Sequence, residues 1–125
     1  MQPPSPSEMA VLKTLWNEGA LSAREVHARL GGPQDWSYST TRTLISRMVE
    51  KGLVSRRDSH GLAVFAPALS KAAVLSGMVR RFSAQVFDLD APLPASAFAG
   101  SPLLDDDDLA ELETLLEQEG GEEEN

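Results

Sequence analysis

Apolar and polar positions alternate along this chain with a helical period in three successive stretches. From Glu8 to about Asn17, Met9, Leu12, Leu15 and Trp16 fall on one side with Val11 beside them, which predicts a first helix capped by Ser7 and ended by Gly19. Ser22 and Glu25, three residues apart, form a capping-box pattern ahead of a second helix. Its stripe is Val26 and Leu30, and Gly31-Gly32-Pro33 is its expected stop. In the third stretch, from Trp36 to Val54, Thr41, Leu44, Ile45 and Met48 recur at i, i+3, i+4 and i+7, between serines suited to an N-cap and Gly52 suited to a left-handed C-cap.

The period then changes from helical to alternating. Leu53 to Arg57 and Leu62 to Ala66 read as two strands, joined by the turn cluster Asp58-Ser59-His60-Gly61 and closed by Pro67. Ser70 starts a fourth helix, about Lys71 to Phe87, with a broad apolar face: Val74, Leu75, Met78, Val79, Phe82, Val86 and Phe87. Pro92, Pro94 and Pro102 make residues 88–104 a loop, with one short helical turn near Ala95 to Ala99. A last helix begins at Asp105 to Asp108, whose carboxylates suit the positive end of a helix dipole. Leu109, Leu112, Leu115 and Leu116 give it one stripe, read as facing a partner.

The predicted fold class is therefore mainly α: a winged helix-turn-helix of three helices and a two- to three-stranded wing, followed by a C-terminal helical dimerisation segment. The expected organisation is a disordered N-terminus (1–6), a winged-helix domain (7–69), a helical segment (70–119) and an acidic tail (120–125).

Charge sharpens this picture. The formal net charge of -8 is segregated: all eleven Lys and Arg lie in residues 1–82 with six acids, and the remaining thirteen acids lie in residues 83–125. A basic front and an acidic back fit a nucleic-acid-binding module joined to a segment kept off the polymer. The side of the third helix opposite its apolar stripe carries Ser39, Thr43, Ser46 and Glu50, with Arg42 and Arg47 on its shoulders. Small hydroxyl residues leave that side flat enough for a major groove, and arginine forks onto guanine edges or phosphates. Recognition helices read bases with their N-terminal residues, so Ser39, Thr40, Arg42 and Thr43 are the candidates for base contact. Ser46, Arg47, Arg56, Arg57 and His60 are the candidates for phosphate. The competing reading ties Arg42 to Asp35 or Glu50. Tyr38 or Trp36 either packs on the sugar-phosphate chain or lids the core. Val74, Leu75, Met78, Val79, Phe82, Val86, Leu109, Leu112 and Leu116 are the candidates for dimerisation.

Other function classes find little support. The chain has no cysteine, so disulfides, thiolate metal sites and cysteine nucleophiles are excluded. Its two histidines, His27 on a polar helix face and His60 in a turn, have no metal-ligand spacing. No catalytic cluster, cofactor motif or metal site is expected, and so no enzyme. No stretch is apolar enough to enter a membrane, and a cytoplasmic location is expected. The alternative from another class is a winged-helix module that binds protein and no specific DNA.

The run Thr40-Thr41-Arg42-Thr43-Leu44-Ile45-Ser46-Arg47-Met48, followed by Lys51-Gly52, resembles the recognition helix of the BlaI/MecI/CopY family of penicillinase-type repressors. The likeness extends to Glu8–Trp16, Ser22–Val26 and the wing, covering residues 5–87 well and the tail more loosely. It implies a homodimeric repressor that binds an inverted-repeat operator in double-stranded DNA. In the penicillinase branch a membrane sensor-protease pathway cuts the repressor at an Asn-Phe bond. The matching place here is Ala97-Phe98, with alanine where the asparagine stands. The copper branch senses metal through a C-terminal cysteine cluster, which this chain lacks.

Overall fold

The computed structural model describes residues 3–118 and divides into two compact units, with the boundary between Leu69 and Ser70. The first unit holds α1 (Pro6–Glu18), α2 (Ala23–Gln34), α3 (Tyr38–Glu50) and an antiparallel hairpin, β1 (Val54–Ser59) with β2 (Leu62–Pro67). A single bridge between Leu21 and Phe65 adds a one-residue third strand, with both backbone bonds formed at 3.0 and 2.8 Å. This is the winged helix-turn-helix arrangement expected from the period changes.

Three boundaries differ from the sequence reading. Helix α1 starts earlier: Ser5, not Ser7, is its N-cap, and Ser5 and Glu8 form a reciprocal capping box. Pro6 takes the first helical position, where a missing N–H costs nothing, and Pro4 is buried. Ser5 and Pro6, placed by the sequence in the expected disordered N-terminus (1–6), thus form the cap and first position of α1. Helix α2 runs through Gly31-Gly32-Pro33 to Gln34. In a last turn proline forfeits only one hydrogen bond, and Asp35, at φ 59°, supplies the left-handed cap. Strand β1 continues to Ser59, and the turn shrinks to His60-Gly61. Both of these have positive φ (52° and 78°), as a tight two-residue hairpin turn demands.

Other signals are used as written. The Ser37 hydroxyl accepts from the Thr40 N–H at 3.0 Å and caps α3. At the other end Gly52 has φ 80°, its N–H bonds the Val49 carbonyl, and the Leu53 N–H bonds the Met48 carbonyl. This is the paired bonding of a Schellman motif, and it turns the chain directly into the wing. The core joins Val11, Leu12 and Leu15 of α1, Val26 of α2, Thr41, Ile45 and Met48 of α3, and Leu53. Val11 is central, whereas Met9, Trp16, Leu30 and Leu44 are only half-buried. Glu8 is buried and meets Lys51 at 2.7 Å, pinning the start of α1 to the end of α3. Burial raises the Glu8 pKa, but the hydrogen bonds from Lys51 and the Ser5 N–H outweigh it and hold the carboxyl below its usual range.

The second unit holds α4 (Lys71–Phe87), a 3-10 turn (Ala95–Phe98) and α5 (Asp106–Glu117). Ser70 caps α4, and Asp105 caps α5 through a capping box with Asp108. The core here is Ala72, Val79, Ala95, Leu112 and Leu116, flanked by Leu75, Leu93, Phe98, Leu104 and Leu115. Leu112 and Leu116, expected to face a partner, are therefore buried against α4 of their own chain. So is Val79. The stripe on α5 is real, but the proline loop is short enough to fold it back. Ser83 fastens that loop: its buried hydroxyl donates to the Val79 carbonyl at 2.7 Å and accepts from the Leu93 N–H at 2.9 Å. Arg80 donates to the Leu115, Leu116 and Gln118 carbonyls, a cation at the negative end of α5. The acidic tail and its Gly120-Gly121 start lie outside the described residues. Among the described residues no helix is long and apolar enough to cross a membrane.

Candidate nucleic-acid interface

Helix α3 buries one side and presents the other to solvent. With Thr41, Ile45 and Met48 turned into the core, the helical repeat turns Ser39, Arg42, Thr43, Ser46, Arg47 and Glu50 outward, and all six are exposed. With Tyr38 they line one shallow groove of about 460 Å³. Thr40 does not line this groove. It is exposed and lines a smaller adjoining depression with Ser7, Trp36, Ser39, Thr43, Leu44 and Arg47, and its hydroxyl accepts from Ser37 Oγ at 3.0 Å. Of the four expected base readers, three therefore share the central face and Thr40 stands at its edge.

Arg42 makes no ion pair with Asp35 or Glu50, and Arg47 none with any acid among the described residues. Both guanidiniums are thus available to an anion or a base edge. In the wing, Arg56, Arg57 and His60 are all exposed. Arg56 and Arg57 are neighbours on a strand and so point to opposite faces of the hairpin. Arg56 meets Asp58 at 3.4 Å, a long and open pair that contributes little. His60 occupies the hairpin tip.

The groove between α3 and the wing is the larger feature, about 780 Å³. Ile45, Val49, Leu62 and Phe65 are its apolar lining, and Arg24, Arg42 and Arg56 stand around it. Arg24, which lines this groove, and His27, which packs on its Tyr38, are residues that the sequence reading missed. The guanidinium of Arg24 lies 4.3 Å from the Tyr38 ring centroid, and that of Arg42 lies 5.9 Å from it. His27 is half-buried rather than on a polar face. Its Nδ1 lies 2.8 Å from Thr41 Oγ1, and its ring meets Tyr38 edge-on at 5.5 Å. Since the Thr41 hydroxyl donates to the Ser37 carbonyl, Nδ1–H is the donor to Thr41. The available signal was the three-residue spacing of Arg24 and His27, which places them on one side of α2. Tyr38 is thereby resolved as a half-buried residue between the core and the solvent face.

No cluster of three or more metal-ligating side chains occurs among the described residues. The profile of the penicillinase repressor family matches residues 4–118. The chain belongs to the penicillinase repressor family. It is 21% identical over 114 residues to a penicillinase repressor of Bacillus licheniformis, covering 91% of this chain and 89% of that one. It is 23% identical over 112 residues to the methicillin resistance regulatory protein MecI of Staphylococcus aureus strain N315, covering 90% and 91%. The solution structure of the DNA binding domain of the repressor BlaI aligns with 54% of this chain and 82% of that domain, at 25% identity and a TM-score of 0.49. Membership of this family places the chain among DNA-binding repressors and not among enzymes.

The second unit shows where the remaining candidates lie. Val74, Val79, Leu112 and Leu116 are buried, and Leu75, Met78 and Leu109 are half-buried. Phe82, Val86 and Phe87 are 47%, 56% and 54% exposed, and the two phenyl rings meet edge-on at 5.4 Å. Ala97 and Phe98 lie in the 3-10 turn. Ala97 is exposed, with its N–H bonded to the Pro94 carbonyl at 3.0 Å, while the Phe98 ring packs on the core.

Proposed function

We propose that this protein is a homodimeric repressor that binds an inverted-repeat operator through α3 and the wing. The observation that carries the proposal is the outward face of α3: exposed hydroxyl side chains flanked by two arginines without acidic partners. Ser39, Arg42 and Thr43 read base edges, with Thr40 at the margin. Ser46, Arg47, Arg56, Arg57 and His60 contact the sugar-phosphate chain. A bidentate arginine on guanine contributes about 1–3 kcal/mol of discrimination, so Arg42 is the principal reader.

One unit holds few cations, and a single contact set of this size binds weakly. Dimerisation raises affinity by making the second half-site encounter intramolecular. The exposed Phe82, Val86 and Phe87 supply an apolar surface for that contact, beside a groove of about 320 Å³ bordered by Leu75, Met78, Phe98 and Leu104. Leu112 and Leu116 support this surface from beneath. Repression follows by excluding polymerase from the promoter, in the cytoplasm. Release by cleavage between Ala97 and Phe98, through a membrane sensor-protease pathway, requires the 3-10 turn to open and Phe98 to leave its packing.

The test is binding of the purified protein to promoter DNA upstream of its own gene, against scrambled duplex, across a salt series. A two-subunit complex on the promoter that weakens with Arg42→Ala supports the proposal. Equal, feeble binding to both duplexes, unchanged by Arg42→Ala, overturns it and turns the search to protein partners.

A further inference from the structure

We infer that Arg24 on α2 is a second DNA-contacting arginine, and that Tyr38 is the positioning residue that sets it beside Arg42. The inference rests on the DNA-binding reading above and adds a contact outside α3 and the wing. Two cations from two helices converge on one aromatic ring, at 4.3 Å and 5.9 Å from its centroid. A guanidinium within about 6 Å of a ring centroid is attracted by the ring's quadrupole. Both side chains are exposed, and neither pairs with an acid among the described residues. A cation held by a neutral ring keeps its full charge for an incoming anion, which a salt-bridged arginine does not.

The ring is itself fixed. The His27 imidazole meets it edge-on, Thr41 holds the imidazole by a 2.8 Å hydrogen bond, and Thr41 is fully buried. Gly31 leaves room for the imidazole: a Cβ there would lie 2.3 Å from His27 Cε1. The succession Gly31, His27, Tyr38 therefore transmits the packing of α2 on α3 to two surface cations. Those cations border the same groove as Arg56, and Glu50 is the one acid lining it. The ligand chemistry that suits a run of separated guanidiniums over an apolar floor is the phosphodiester chain. Arg24 takes a phosphate and Arg42 is left to the base edge.

The experiment measures binding to promoter and scrambled duplexes between 50 and 200 mM salt for Arg24→Ala, Tyr38→Leu, Tyr38→Phe and Arg42→Ala, each with a circular dichroism check of folding. A phosphate contact contributes about 0.9 to the slope of log affinity against log salt. Arg24→Ala is expected to weaken both duplexes alike and to lower that slope by about 0.9, so that its deficit shrinks about 3.5-fold across this salt range. Tyr38→Leu is expected to lower the slope and also the preference for the promoter, and Tyr38→Phe, which keeps the ring face, to restore both. If Arg42→Ala impairs binding while Arg24→Ala changes neither affinity nor slope, the inference fails and the DNA-binding reading stands. If Tyr38→Phe is as damaging as Tyr38→Leu, the ring is not the positioning element. If no variant, Arg42→Ala included, has any effect, the DNA-binding reading itself fails.

Discussion

Substituting Gly31 tests the packing of α2 on α3 directly. A Cβ at residue 31 would stand 2.3, 2.6 and 2.8 Å from His27 Cε1, Nδ1 and Nε2, well inside the roughly 3.5–4 Å of unstrained contact. All three atoms belong to one side chain, so Gly31→Ala forces the imidazole to turn away. The ring then loses its hydrogen bond to Thr41, about 0.5–1.5 kcal/mol, and its edge-on contact with Tyr38, of similar size. Alanine returns about 1 kcal/mol through helix propensity. The net expectation is destabilisation by about 1 kcal/mol, which taken alone is too small to be decisive. In a His27→Ala background the three nearest obstructing atoms are gone, and the same substitution is expected to stabilise by about 1 kcal/mol. The decisive quantity is the difference of about 2 kcal/mol between the two backgrounds, measured as a double-mutant cycle of urea unfolding. If Gly31→Ala stabilises both backgrounds equally, the imidazole does not sit over Gly31, and its support of Tyr38 is wrong.

Acid should weaken both units for a stated reason. The Glu8 carboxyl is lowered by Lys51 and Ser5 against an opposing burial effect, and that of Asp108 chiefly by the Asp105 N–H. Groups depressed in the folded state stabilise it above their unfolded values, 4.5 and 3.8, and lose that contribution as pH falls through the folded values. The urea midpoint should therefore drop between pH 5 and pH 3, less so in Glu8→Gln. Leu112→Ala empties part of the second unit's core and should cost about 2–5 kcal/mol by chemical denaturation. Gly61→Ala places a side chain at φ 78° in the hairpin tip, should destabilise by about 1 kcal/mol, and should weaken duplex binding through the wing. Phe82→Glu should shift sedimentation from dimer toward monomer while leaving the circular dichroism spectrum unchanged, because Phe82 is exposed in the unit.

Much of the fold was legible because it depends on local chemistry. Period, caps and the Gly52 stop specify α3 whatever surrounds it, and a buried stripe of Thr41, Ile45 and Met48 fixes by rotation which side chains face outward. The outward face of α3 could thus be read from the chain alone, as could a break near Ser70, where the alternating period of the wing gives way to a new capped helix. The change from basic to acidic composition comes later, after residue 82, and does not mark that break. Proline and glycine were over-read: Gly31 serves the His27 ring and Pro33 sits harmlessly in a last turn, roles that depend on neighbours in space.

Only the tertiary structure decided which apolar stripes meet one another. Periodicity shows that Leu112 and Leu116 need a partner, but it does not distinguish a second subunit from α4 of the same chain. In the fold α5 packs on α4, and the Ser83 hydroxyl holds the Leu93 N–H of the connecting loop, a bond between residues ten apart with no repeating pattern. In the same way, nothing in the order of residues 24, 27, 38 and 42 announces one cluster. The crossing of α2 over α3 brings them around a single ring, because the buried Thr41 and the missing side chain at Gly31 let the imidazole fit between the helices.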